Sequence, residues 1–163
     1  MAPNPTNPRS GIHTVATHRK AFRDYHILER MEAGLELRGA EVKSIREGRF
    51  SLTESYAAIE GREVFLLGLH IQPYGCARVA EQDPLRPKRL LLHRREIERL
   101  TGHVALKGQT LVPLRVYFSK GRAKVELALA RGKQDPDKRE TIRRRTAERE
   151  AERAIAARSR RGN

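Results

Sequence analysis

The chain has 163 residues, a single cysteine, and 34 Lys and Arg against 20 Asp and Glu, for a formal net charge of +14. That length accommodates one folded domain and a tail, which excludes a large multi-domain enzyme. Cys76 has no second cysteine for a disulfide or a CxxC metal site, so the chain reads as intracellular and cytoplasmic, and a cation surplus of this size favours polyanions, nucleic acid first.

Residues 1–17, inside a Pro- and Asn-containing stretch without an apolar core, read as a mobile N-terminal arm rather than a secretory signal. Tyr25, Ile27, Glu29 and Met31 repeat at period two, Ala33-Gly34 interrupts them, and Leu35 and Leu37 resume, which predicts a hairpin. Gly39 to Glu47 has helical spacing at Val42 and Ile45, with Gly48 as its stop and Glu41 at its positive end, where a carboxylate is favoured. Ser55–Glu60 and Glu63–Ile71 read as strands joined at Gly61-Arg62. The second is the longest strongly apolar run, far short of the ~20 residues of a membrane-spanning helix.

A turn-rich break at residues 83–87 leads to a short strand over Arg89–Leu92. His93 with Glu96 then resembles a capping box opening a helix that ends near Gly102. In the last hairpin Leu114, Val116 and Phe118 alternate with Arg115 and Tyr117, Lys120-Gly121 turns the chain, and Val125, Leu127 and Leu129 alternate with Lys124 and Glu126. The pattern predicts one core face and one basic, wet face. About six short strands with two helices, mostly in hairpins, point to a small antiparallel barrel, OB-type by first choice.

The charge is uneven: residues 1–20 carry +3, residues 21–130 carry +5 and residues 131–163 carry +6. The last segment has no Leu, Val, Phe, Tyr or Trp, too little apolar surface to offset the ~1–2 kcal/mol that ordering each residue costs. From Lys138 onward, however, Ala147, Ala151, Ala154 and Ile155 follow helical spacing without Pro or Gly until Gly162. Such a tail is expected to be disordered alone and helical against a partner.

The six histidines are scattered, without HExxH, and there is no GxSxG, P-loop or GxGxxG motif, so neither a catalytic nor a metal centre is expected and no cofactor is implied. The one catalytic alternative is an RNA-processing nuclease using Glu32, Glu41 and His70. A second alternative is an initiation-factor-like OB protein that binds the small ribosomal subunit. The eight aromatics do not form the paired platform of a sheet that stacks single-stranded bases, which favours structured RNA as the partner.

Arg19-Lys20-Ala21, Asp24-Tyr25, Glu32-Ala33-Gly34 and the run Gly39 to Gly48 (GAEVKSIREG), followed by Ser55-Tyr56, Asp83-Pro84, Arg89 to Glu96, Val112-Pro113-Leu114, Lys124 to Lys133 and Asp137-Lys138-Arg139, resemble the SsrA-binding protein family, SmpB. The resemblance spans roughly residues 18 to 158. It implies a mainly β fold, an OB-type antiparallel β-barrel over 18–130 with two to three flanking helices, and a basic C-terminal tail over 131–163.

It also implies a monomeric, non-enzymatic adaptor of trans-translation, which binds the tRNA-like domain of transfer-messenger RNA and brings it to stalled ribosomes. By the same resemblance, the barrel's RNA-binding residues are Lys20, Glu32, Lys43, Tyr56, His70, Leu91, Leu92 and His93. In the tail, Lys133, Asp137, Lys138 and Arg139 would lie near the decoding centre, and Ile142, Arg143, Arg145, Arg149, Arg153 and Ile155 along the vacant mRNA channel. The chain departs from the family pattern at His18 and Pro136, and from some members at His93 and Ala147.

Overall fold

The computed structural model describes residues 12–75, 82–106 and 108–161, so Cys76 lies outside the described residues. In chain order the elements are β1 (Ile12–Thr17), α1 (Arg19–Asp24), β2 (Tyr25–Leu35), α2 (Gly39–Arg46), β3 (Phe50–Ser51), β4 (Tyr56–Glu60), β5 (Glu63–Leu67), β6 (His70–Ile71), β7 (Lys88–Leu91), α3 (Arg94–Val104), β8 (Gln109–Ser119), β9 (Arg122–Gly132) and α4 (Asp135–Arg161). They fall into two units, one ending at Gly132 and one beginning at Lys133.

In the first unit the strand order is β1-β8-β4-β5-β7-β2-β9, and β9 returns to pair with β8. That last pairing closes β8-β4-β5-β7-β2-β9 into an antiparallel ring, the barrel that the alternation predicts. The β8–β9 hairpin is its longest ladder. Lys120 and Gly121 turn it with φ of 51° and 75°, the pair of positive angles that matches the twist of a two-residue hairpin.

The interior holds Ala33, Leu35, Ile45, Val64, Leu66, Leu90, Leu100, Val116, Val125, Leu127 and Leu129 among its buried residues. A second, smaller cluster forms where Ala21 of α1 packs on Val112, Leu114, Ala128 and Ala130. The sequence reading put Leu114 on one face with Val116 and Phe118. A register shift between Pro113 and Arg115 sends Leu114 to the opposite face, under α1, and leaves Val116 and Phe118 in the main core. The outer face of this hairpin is therefore covered at one end and solvated at the other, and the small side chains of Ala128 and Ala130 let the helix approach.

Three other expectations change. The predicted hairpin at Ala33-Gly34 is one continuous strand, β2, whose Gly34 pairs with Leu91. A Cβ on Gly34 would stand 3.0 Å from the Leu91 Cβ, so the glycine serves close strand approach instead of a turn. The strand expected over Glu63–Ile71 stops at Leu67, because Gly68 has a φ of +72° and its missing Cβ makes room for the Glu54 carbonyl; His70–Ile71 then pair separately with β3. Ile12–Thr17, read as part of a mobile arm, form β1 along β8, and residues 1–11 lie outside the described residues.

The second unit is the helix α4, which starts three residues before the Lys138 onset read from the sequence, with Lys138 N–H donating to the Gln134 carbonyl at 3.1 Å. Ile142 and Ile155 are exposed, so the helix carries little apolar burial of its own.

Candidate nucleic-acid interface

Strand alternation and one glycine assemble the main site. In β7, Leu90 points into the core and Leu91 is half exposed. Gly34 lets β2 lie close against Leu91, which brings Glu32 of the same strand beside it. After Leu91 the chain enters α3, whose first turn is fixed by Glu96: its Oε2 accepts from the His93 backbone N–H at 2.8 Å, in the predicted capping box. An open depression of about 370 Å³ results, lined by Glu32, Gly34, Leu91, Leu92, His93, Glu96 and Lys124.

The Glu32 carboxylate accepts hydrogen bonds from Lys124 Nζ and from the Tyr117 hydroxyl. The Lys124 hydrogen bond, followed by that of Tyr117, holds this carboxyl below its ordinary range despite some desolvation. The depression thus offers an apolar patch at Leu91 and Leu92, carboxylate lone pairs, and an ammonium that offsets the acid. Such a surface suits the face of a base or ribose and its N–H or O–H donors better than a phosphate alone.

Four of the eight barrel residues implied by the resemblance, Glu32, Leu91, Leu92 and His93, therefore meet in one wall. The others lie on separate elements. Lys43 projects from α2 with Nζ 5.3 Å from the Tyr74 ring centroid, and Ser44 Oγ ties the same helix to the Gln72 carbonyl at 2.7 Å, next to exposed His70 on β6. Lys20 on α1 approaches Glu54 at 3.4 Å, and Tyr56 on β4 is half exposed. Sequence reasoning missed Lys124 and Tyr117 as parts of the site, although the alternation of β9 had put Lys124 on the wet face. Tyr117, also expected to be wet, is only 4% exposed.

Glu41 serves the fold. Its Oε2 accepts from the Arg38 backbone N–H at 2.7 Å and from Arg86 Nη2 at 2.7 Å, while Oε1 accepts from Arg86 Nε at 3.0 Å. Beside this pair Lys88, fully buried, donates to the carbonyls of Leu69 at 3.1 Å and Pro84 at 3.4 Å. His18, a departure from the family pattern, does not cap α1; its Nδ1 lies 2.9 Å from the Pro113 carbonyl and fastens the start of α1 to β8.

In the tail unit, Lys133 Nζ donates to Thr141 Oγ1 at 3.0 Å, about two turns into α4. Arg139, Ile142, Arg143, Arg149, Arg153 and Ile155 are exposed along that helix, while Asp137, Lys138 and Arg145 are partly covered. No helix among the described residues is long and apolar enough to cross a membrane.

Comparison with known proteins gives a consistent result. The family model described as SmpB protein matches residues 15–157. An SsrA-binding protein of Caldanaerobacter subterraneus is 53% identical over 141 residues, covering 86% of this chain and 89% of that protein. One of Chloroflexus aggregans is 55% identical over 150 residues, covering 91% and 95%. A solved structure described as "tmRNA-SmpB: a journey to the center of the bacterial ribosome" is 48% identical and superposes with a TM-score of 0.64, covering 80% of this chain and 96% of that one.

Proposed function

This chain belongs to the SmpB protein family, and on that premise we propose that it is an RNA-binding adaptor of trans-translation. Its barrel binds the tRNA-like domain of transfer-messenger RNA and delivers that RNA to ribosomes stalled without a stop codon. It acts in the cytoplasm as a monomer and catalyses no reaction itself. The observation that carries this reading is the convergence of Glu32, Leu91, Leu92 and His93, from two distant stretches of sequence, on one depression of RNA-compatible chemistry.

In this account Lys20, Lys43, Tyr56 and His70 extend the RNA surface over neighbouring elements, the cations neutralising phosphate. The tail is a separate tool. Lys133, Asp137, Lys138 and Arg139 sit near the decoding centre, and the rest of α4 lies in the mRNA channel that a stalled ribosome leaves vacant. An intact message would exclude it, which makes the tail a test for stalling. The sparse apolar content of residues 131–163 supports a segment that is disordered in the free protein and orders in that channel.

The test is affinity for the isolated tRNA-like domain against an ordinary tRNA at one salt concentration. Clear preference for the former is expected. Equal, weak binding to both would refute the proposal and favour a general ribosome-associated OB protein.

A further inference from the structure

Glu32 is about half exposed at the rim of the depression, whereas its hydrogen-bond donor Tyr117 is almost wholly buried. The Tyr117 hydroxyl therefore cannot itself meet a ligand, and a buried phenol requires an acceptor, which Glu32 Oε2 provides. The ring is held from its other side. The Arg115 guanidinium lies 5.4 Å from its centroid, Arg115 Nε is 2.6 Å from Glu126 Oε2, and Glu126 also faces Arg30 at 3.8 Å. This ladder across β8, β9 and β2 braces the ring whose hydroxyl donates to Glu32.

From this arrangement we propose that Tyr117 is a positioning residue of the RNA interface: it fixes the Glu32 carboxylate so that its unoccupied lone pairs face the depression and accept from an N–H or O–H donor of an unpaired nucleotide. The inference rests on the RNA-binding reading of the depression given above. A carboxylate has about four acceptor positions. Tyr117 and Lys124 take one each, and the remainder are available to a base amino group or a ribose hydroxyl. Burial and the bond to Glu32 both push the Tyr117 phenol above its ordinary value, so it stays a donor at working pH, while Glu32 stays an acceptor. Phosphate is disfavoured at this spot because it has no proton to donate.

The experiment uses the full chain and a transcript of the tRNA-like domain, with Tyr117→Phe, Glu32→Gln and the double variant. Tyr117→Phe keeps the ring and its packing. Its affinity should fall about five- to tenfold at fixed salt, the loss of one charge-assisted hydrogen bond's alignment. The double variant should bind no more weakly than Glu32→Gln alone. The slope of log affinity against log salt should stay unchanged, since no phosphate contact is removed, and carboxyl NMR should show Glu32 titrating at higher pH in Tyr117→Phe.

Unchanged affinity in Tyr117→Phe beside weakened binding in Glu32→Gln would overturn the positioning role and leave the interface standing. Fully additive losses would overturn it too, because a residue that acts through general folding weakens binding in either background. If neither variant changes the affinity of a chain that does prefer the tRNA-like domain, the inference falls with the assignment of this depression, while the adaptor function survives.

Discussion

Replacing Arg86 by alanine should destabilise the barrel far more than loss of a surface ion pair. Arg86 grips Glu41 through Nε–Oε1 at 3.0 Å and Nη2–Oε2 at 2.7 Å, and the two side chains are only 25% and 11% exposed, so water screens them little. Breaking one side of a buried pair costs ~3–5 kcal/mol. Here Glu41 keeps the Arg38 amide and the nearby charge of Lys88, and the truncation admits some water, which lowers the expectation to about 2–3 kcal/mol. For a unit of this size the melting temperature should fall by roughly 10 °C.

Acid supplies an internal control for this variant. Burial pushes the Glu41 carboxyl up, but the Arg86 hydrogen bonds, the Arg38 amide and the charges of Arg86 and Lys88 together bring it below its ordinary value. The stabilisation is therefore complete above about pH 4.3, the unfolded value, and is lost as pH falls through the depressed folded value. Urea denaturation of wild type and Arg86→Ala should give curves that differ at pH 7 and draw together as pH falls below the ordinary carboxylate value and through the depressed folded one. A difference under ~0.5 kcal/mol at pH 7, in the range of an exposed pair, or a gap undiminished at pH 3, would refute the reasoning.

Three further outcomes follow from particular contacts. Burial pulls the Lys88 ammonium down to about 8, against the opposing charge of Glu41. The unfolded chain then binds more protons between roughly pH 8 and 10, so wild type should gain on Lys88→Met across that window by up to ~1.4 kcal/mol per pH unit; a flat difference in urea titrations would contradict it. Gly34→Ala forces a Cβ to within 3.0 Å of the Leu91 Cβ and should cost ~1–2 kcal/mol while weakening binding to the tRNA-like domain, and unaltered melting and affinity would show that the β2–β7 approach is not constrained as described. Truncation after Gly132 should preserve affinity for the tRNA-like domain but abolish transfer of the stalled peptide to its alanine, and loss of RNA binding would refute the separation of barrel from tail.

How far the sequence is readable depends on whether local or distant contacts decide a residue's role. The β8–β9 hairpin, the His93–Glu96 capping box and the Gly48 stop, with its φ of 74°, follow from neighbours in the chain and were legible. Gly34 was misread because its role depends on Leu91, which no local pattern reveals. Leu114 was placed on the wrong face because one bulge reverses every alternation beyond it. In the site, Glu32 and the Leu91-Leu92-His93 corner came from family resemblance, whereas Tyr117 and Lys124 required the register of three strands before their bonds to Glu32 could be seen.

The division of charge also acquires a physical reason at the level of the helix. In the barrel unit many acids are already committed: Glu41 to Arg86, Glu126 to Arg115, Glu29 to Arg99 and Glu32 to Lys124. On the proposed reading, shape and a few oriented acceptors then select the RNA ahead of bulk attraction. In the tail, Arg145, Arg149 and Arg153 follow at intervals of four, so helix formation aligns them along one face at about 6 Å steps. In a disordered chain no such row exists. On the proposed reading, a phosphate-lined channel rewards the helical state over the coil because only the helix presents its cations in line, which couples the ordering of the tail to an empty mRNA path.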